Sequence, residues 1–168
     1  MTRFPPARDW TTETSDSVEP VVPVHRLLPT ARRLALDPAL PRLLDPALPR
    51  RQRLLLESSA DLEAWLCAWP PGSGSGWHDH GRSSGGILVI QGQLLEQSWD
   101  HGRRVDRLRR SGQGCTFAPY HAHSVVNVGA LPVLSVHVYS PLLSSVTRYD
   151  LTADGPLAGH AERVGIEW

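Results

Sequence analysis

Between residues 51 and 140 the chain is a succession of short apolar runs cut by turn formers. RQRLLLE (51–57), DLEAWLCAW (61–69), GILVIQGQLLEQSW (86–99), RVDRLR (104–109), CTFAP (115–119), HSVVNV (123–128) and PVLSVHVYS (132–140) carry the pattern. Ser-Ser, Pro-Gly, Asp-His-Gly, Ser-Gly and Gly-Ala steps separate them. Short β-prone segments closed by such residues predict an all-β sandwich or barrel, with helices confined to the front of the chain. Upstream, from Val24 to about Pro49, Leu and Arg are punctuated by proline, and a helix is predicted between Pro29 and Ala35. DPALPR stands at 37–42 and again at 45–50. Each Asp-Pro step reads as an N-cap followed by proline at the first helical position. The next prolines, Pro41 and Pro49, limit these to single turns. Residues 1–22 hold few large apolar groups and are expected to form a flexible arm. The predicted organisation is thus an arm over 1–22 and one domain over 23–168 that opens with a helical segment, 23–49.

Composition narrows the function classes. A chain of 168 residues suits one well-buried domain. Its 17 basic and 17 acidic residues cancel, so nothing favours a polyanionic partner. Arg103, Arg104, Arg107, Arg109 and Arg110 are interrupted by Val105, Asp106 and Leu108, which reads as a solvated strand face, and no nucleic-acid binding is expected. No apolar stretch approaches the ~20 residues that span a bilayer, so no membrane association is expected. The N-terminus lacks the order of a secretion signal. Two cysteines, Cys67 and Cys115, fit a reducing compartment. A cytoplasmic monomer is the expectation.

The chemistry is carried by histidine. In GWHDHGRSSGGILVIQG (76–92), His78 and His80 stand one residue apart, so on extended backbone their rings share a face while Asp79 turns away. Two imidazoles so placed can take neighbouring corners of one metal's coordination sphere, whether iron, copper, zinc or nickel. The surrounding glycines give Gly-x5-His-x-His-x4-Gly-x6-Gly, from Gly72 to Gly92. This resembles the first motif of the cupin superfamily, with Gly85 where cupins usually place a glutamate ligand. GCTFAPYHAHSVVN resembles the second motif through Pro119, His123 and Asn127. It is one residue shorter between proline and histidine, and His121 stands where that motif has glycine. His123 keeps its spacing to Asn127 and is the preferred third ligand, with His121 as a competing ligand or an outer hydrogen-bond donor. Since Gly85 cannot ligate, the donor set would be three neutral imidazoles, leaving the full metal charge to attract an anionic thiolate.

In LSVHVYSP (134–141), Ser135, His137 and Tyr139 alternate on one strand face. Together with WHDHG and HSVVNVG, this stretch resembles the cysteine dioxygenase family, thiol dioxygenases of the cupin fold, over roughly residues 50–150. The resemblance implies a small jelly-roll β-barrel in which His78, His80 and His123 hold Fe(II). It implies Tyr139 beside the metal, facing substrate and dioxygen, with His137 and Ser135 behind it as a hydrogen-bonded relay. An arginine on an early strand would pair with the substrate carboxylate. Arg53 is the preferred match, and Arg51 shares its strand face. Gln52 lies between them, and relatives acting on 3-mercaptopropionate use glutamine at the arginine's place. Mammalian members crosslink a cysteine to the site tyrosine; Gly85 stands there, as in many bacterial members, which points to a bacterial-type enzyme. The implied reaction oxidises L-cysteine with O2 to cysteine sulfinic acid. The alternatives are a 3-mercaptopropionate or broader thiol dioxygenase and, from another class, a non-catalytic cupin that binds a metal or ligand. Trp65, Cys67 and Trp69 are expected to line one barrel face, and His25, His101 and His160 to lie at the surface.

Overall fold

The computed structural model describes residues 21–45, 48–153 and 155–163. All but two residues of the expected arm, and the middle of the second DPALPR turn, lie outside them. Helix α1, Val24–Leu34, is longer than the Pro29–Ala35 expectation and encloses Pro29. Proline removes one backbone donor from a helix. Burial outweighs that loss here, because Leu27 and Ala31 are fully buried on the face that meets the barrel. Arg26 N–H donates to the Pro23 carbonyl at 2.8 Å, closing the first turn. The first Asp-Pro step gives a single turn, as expected, but displaced: the Asp37 carboxylate accepts from Ala39 N–H at 2.8 Å, the 3-10 turn is Leu40–Arg42 with Ala39 rather than Asp37 at its N-cap, and Pro41 lies inside the turn.

Eleven strands among the described residues follow: β1 Gln52–Ser58, β2 Glu63–Trp69, β3 Trp77–Asp79, β4 Ser84–Gln91, β5 Gln93–Asp100, β6 Arg103–Arg110, β7 Gly114–Phe117, β8 His123–Val126, β9 Val133–Ser140, β10 Ser145–Thr152 and β11 Gly155–Arg163. They form two antiparallel sheets, ordered β1-β2-β9-β4-β7 and β11-β10-β3-β8-β5-β6. The mainly β cupin barrel expected from the sequence is the architecture found. Gly92 has a φ of +81° and closes the turn from β4 to β5 in a conformation other residues rarely adopt. Neither β3, three residues read only as extended backbone around the histidine pair, nor the last two strands were among the predicted segments. SVTRYDLT and GPLAGHAER are rich in polar and small residues, so neither shows an apolar run.

Apolar side chains fill two layers. One lies between α1 and the outer face of the five-stranded sheet, and gathers Leu27, Ala31, Leu66, Leu88, Val136 and Val138. The other lies inside the barrel and gathers Ile87, Val89, Leu94, Phe117, Val125 and Val133. Strand β9 runs between β2 and β4 and is buried along its whole length. Val136 and Val138 face the helix layer, while Ser135, His137 and Tyr139 take the opposite face. Among the described residues no helix is long and apolar enough to cross a membrane.

Candidate metal centre and the cavity beside it

His78 on β3 lies directly opposite His123 on β8, and His80 follows just beyond the end of β3. Their rings meet with centroids 4.7, 4.9 and 5.1 Å apart, and their donor nitrogens all fall within 4.8 Å of one another. All three residues are buried. Asp79 points away, as strand alternation requires, and anchors the segment: its carboxylate accepts from Tyr149 Oη at 2.6 Å and from Gly81 N–H at 2.8 Å.

The hydrogen bonds fix which nitrogens face inward. His78 Nδ1 donates to the Gly76 carbonyl at 3.0 Å, which leaves the Nε2 lone pair facing the cluster. Burial, then the neighbouring imidazoles, hold His78 and His80 well below the usual histidine range, so both are neutral. Their Nε2 atoms stand 3.1 Å apart. His80 Nδ1 is buried and has no hydrogen-bond partner among the described residues. Wherever the single His80 proton sits, one buried nitrogen is left unsatisfied or two lone pairs oppose. A shared cation removes the conflict, so the donor set fits a metal ion.

Glu96, which the sequence reading did not select, stands behind His123, with Oε1 3.4 Å from His123 Nδ1. Arg109 Nε donates to the same carboxylate at 2.8 Å. Burial alone would raise this carboxyl. The His123 hydrogen bond and the charges of His123 and Arg109 overcome it and bring the group down to about 2. A carboxylate on the outer nitrogen of a metal-binding imidazole fixes its tautomer and orientation. The signal was a lone acid on the inward, otherwise buried face of β5, flanked by Leu94 and Ser98. His121 forms a second group with Glu96 and His123. It is less buried, however, and the carboxylate is already engaged by Arg109. Cys115 lies against Glu96, 3.5 Å from both oxygens, and burial pushes its thiol up to about 12.

Gly85 lies in register with Tyr139 on β9 and Phe117 on β7. A Cβ at Gly85 would come within 2.1 Å of the Phe117 ring. Phe117 stacks on His80, with centroids 5.0 Å apart, and on His121, at 5.7 Å. The space an acidic or thiol side chain would take at position 85 is thus filled by an aromatic ring that walls the histidines.

On β9 the three alternating polar residues are linked. Ser135 Oγ lies 2.8 Å from His137 Nε2, and His137 Nδ1 lies 3.2 Å from the Tyr139 oxygen. Burial keeps His137 neutral, with a pKa of about 3, and raises the Tyr139 phenol well above its usual value. The Tyr139 ring is 4.8 Å from that of His80. Trp69 Nε1 donates to Ser135 Oγ at 2.8 Å.

A cavity of about 700 Å³ borders these groups and is lined by Arg51, Arg53, Trp65, Trp69, His78, His123, His137 and Tyr139, among others. The Arg51 guanidinium lies over Trp69 at 5.2 Å, and that of Arg53 over Trp65 at 5.0 Å. Burial lowers both arginines. Cys67 also lines this wall, its thiol raised to about 12 by burial. Gln52 borders the same cavity, but both ends of its amide are bound to the Asp45 backbone. His25, His101 and His160 are exposed, as expected. His78 and His123 belong to the six-stranded sheet, whereas Tyr139, its relay and Arg53 belong to the five-stranded one.

The comparisons with known proteins agree with this geometry. The crystal structure of a Thermus thermophilus protein is similar with a TM-score of 0.54 at 22% identity, covering 61% of this chain and 93% of that one. A Klebsiella pneumoniae protein with a double-stranded beta-helix domain gives 0.53 at 16% identity, over 72% of this chain and 94% of that one. Oxalate oxidase in complex with the substrate analogue glycolate gives 0.55 at 17%, over 67% and 62%. These likenesses establish the fold. Cysteine dioxygenase type 1 of Danio rerio is 28% identical over 110 residues, 59% of this chain. The chain spans about half the length of that relative, 55%. A family model for cysteine dioxygenase type I matches residues 42–152, a span that holds all three clustered histidines, the β9 relay and both arginines. On that match the chain belongs to the cysteine dioxygenase type I family.

Proposed function

We propose that this protein is an iron(II)-dependent thiol dioxygenase that converts L-cysteine and O2 to cysteine sulfinic acid. The balance is R–SH + O2 → R–SO2H, in which sulfur is oxidised, both oxygen atoms enter the product and no other reductant is needed. The observation that carries the reading is a buried trio of imidazoles, two of which, His78 and His123, line the same cavity as a tyrosine relay and two arginines. A ferrous ion held by His78, His80 and His123 would supply the site for thiol and dioxygen and the redox chemistry between them.

The remaining work belongs to the protein. Arg53 pairs with the substrate carboxylate, as a planar guanidinium does best, and Arg51 extends the same cationic wall. Holding the carboxylate there fixes which face of sulfur meets oxygen. Tyr139 offers its hydroxyl at the metal side of the cavity, and His137 and Ser135 hold its orientation. Phe117 and the two tryptophans exclude water around the cluster. With Gly85 at the crosslink position, Tyr139 acts as a free phenol. The Gln52 amide is occupied by Asp45, which favours a substrate read by arginine over one read by glutamine. A soluble, single-chain enzyme of the cytoplasm is the setting this reading favours.

Anaerobic purification, metal analysis and oxygen uptake test the proposal. The expected result is one iron per chain and uptake with cysteine that exceeds uptake with 3-mercaptopropionate, yielding the sulfinate. Preference for 3-mercaptopropionate would reassign the substrate. A metal-loaded protein that consumes no oxygen with either thiol would overturn the reading in favour of a binding protein.

A further inference from the structure

The hydrogen-bond partners of Ser135 determine more than the position of a relay. Ser135 is fully buried, and its hydroxyl has two partners, Trp69 Nε1 at 2.8 Å and His137 Nε2 at 2.8 Å. An indole nitrogen donates and cannot accept. Ser135 Oγ therefore receives a hydrogen from Trp69, and among the described residues its own hydrogen has one acceptor within reach, His137 Nε2. A neutral imidazole carries a single N–H. With Nε2 accepting, that hydrogen lies on Nδ1, facing the Tyr139 oxygen at 3.2 Å. Tyr139 then accepts from behind, and its own hydrogen turns away from β9.

We propose that Trp69 is a positioning residue that sets the direction of hydrogen bonding along Trp69, Ser135, His137 and Tyr139, so that the Tyr139 hydroxyl meets the cavity as a donor. The opposite order would give His137 Nε2 the hydrogen and leave the Ser135 hydrogen buried without an acceptor, which native structures avoid. Burial keeps both ends of the chain in the required state, His137 as neutral imidazole and Tyr139 as phenol. Trp69 is itself held in place, by pairing with Val133 across β2 and β9 and by the Arg51 guanidinium over its ring. The result is a cavity wall on which Arg51, Arg53 and Tyr139 all present hydrogen-bond donors. Such a wall matches a ligand end that only accepts, a carboxylate above all. The inference rests on donor and acceptor identities and stands whether or not the proposed reaction is correct.

Nitrogen-15 NMR of histidine side chains in the full chain, with and without Zn(II) as a diamagnetic ion, tests it directly. His137 is expected to show a protonated Nδ1 and an unprotonated Nε2 at neutral pH, with at least about tenfold preference, the scale set by an unpartnered buried hydroxyl. A protonated Nε2, or an even mixture of the two tautomers, would overturn the proposal. Trp69→Phe keeps an aromatic ring and removes the donor, and it should collapse the preference toward a mixture. A Trp69→Phe chain that kept the Nδ1 tautomer undiminished would show that the indole does not set the direction. Should that variant fail to fold, the tautomer of the unaltered chain still decides whether the order is right.

Discussion

Arg53 and Tyr139 border one cavity, yet the proposed reaction asks different things of them. Arg53 grips a carboxylate that does not change charge during the chemistry, so its contribution is shared by ground and transition states. Arg53→Ala is expected to raise KM by tenfold or more, roughly the loss of one charge-assisted pair, with kcat little changed. Tyr139 faces the reacting atoms, so Tyr139→Phe should lower kcat by about 10²-fold, the scale of acid–base participation, with a smaller effect on KM. Steady-state oxygen uptake over a range of cysteine concentrations separates the two, and a reversed pattern would exchange the assignments. Glu96 acts one step further back. Glu96→Gln keeps the shape but weakens the hold on His123, and metal affinity measured by competition with a chelator should fall about 10- to 100-fold. The histidine pair was legible because spacing alone places two rings on one face. Glu96 was less so: a lone acid on the inward face of β5 is a signal, but which residue it serves appears only when β5 and β8 are paired.

At the scale of elements, β1, β2 and β4 to β9 could be read from apolar runs bounded by turn residues, even where, as in β1 and β6, no side chain is fully buried. Strands β3, β10 and β11 could not, because β3 is only three residues long and neither SVTRYDLT nor GPLAGHAER shows an apolar run. Helix α1 was misjudged in the other direction: Pro29 reads as a start, but the buried Leu27 extends the helix ahead of it. That residue gives a stability test. Leu27→Ala should destabilise the fold by about 2–5 kcal/mol, the usual range for a fully buried leucine, as read from urea denaturation, while metal affinity stays unchanged. The pairing of Gly85 with Phe117 gives another. Gly85→Cys should disrupt the β4–β7 contact, and adding Phe117→Ala should recover part of the loss, because the ring occupies the space the new side chain needs.

For the whole molecule, the buried ionisable groups predict how stability depends on acid. His137 has a folded pKa of about 3 against an ordinary 6.5, so between these values the unfolded chain binds more protons. Glu96 behaves alike between about 2 and its ordinary 4.5. Stability of the metal-free protein is therefore full above pH 6.5 and falls as pH drops, by up to about 1.4 kcal/mol per pH unit for each group in its window. Urea midpoints measured from pH 7 to pH 4 should decline monotonically, and the decline should be shallower in a His137→Gln chain. The division of labour between the sheets has a further consequence. In the proposed reaction one sheet carries the ion-binding rings and the other the groups that grip and protonate, so the gap between them is a working dimension, filled by a buried cluster that includes the aliphatic residues Val89, Leu94 and Val125. Evolution, or an engineer, can tune such an enzyme from the filling: a methylene gained or lost there shifts the two halves against each other and leaves every chemical group unchanged.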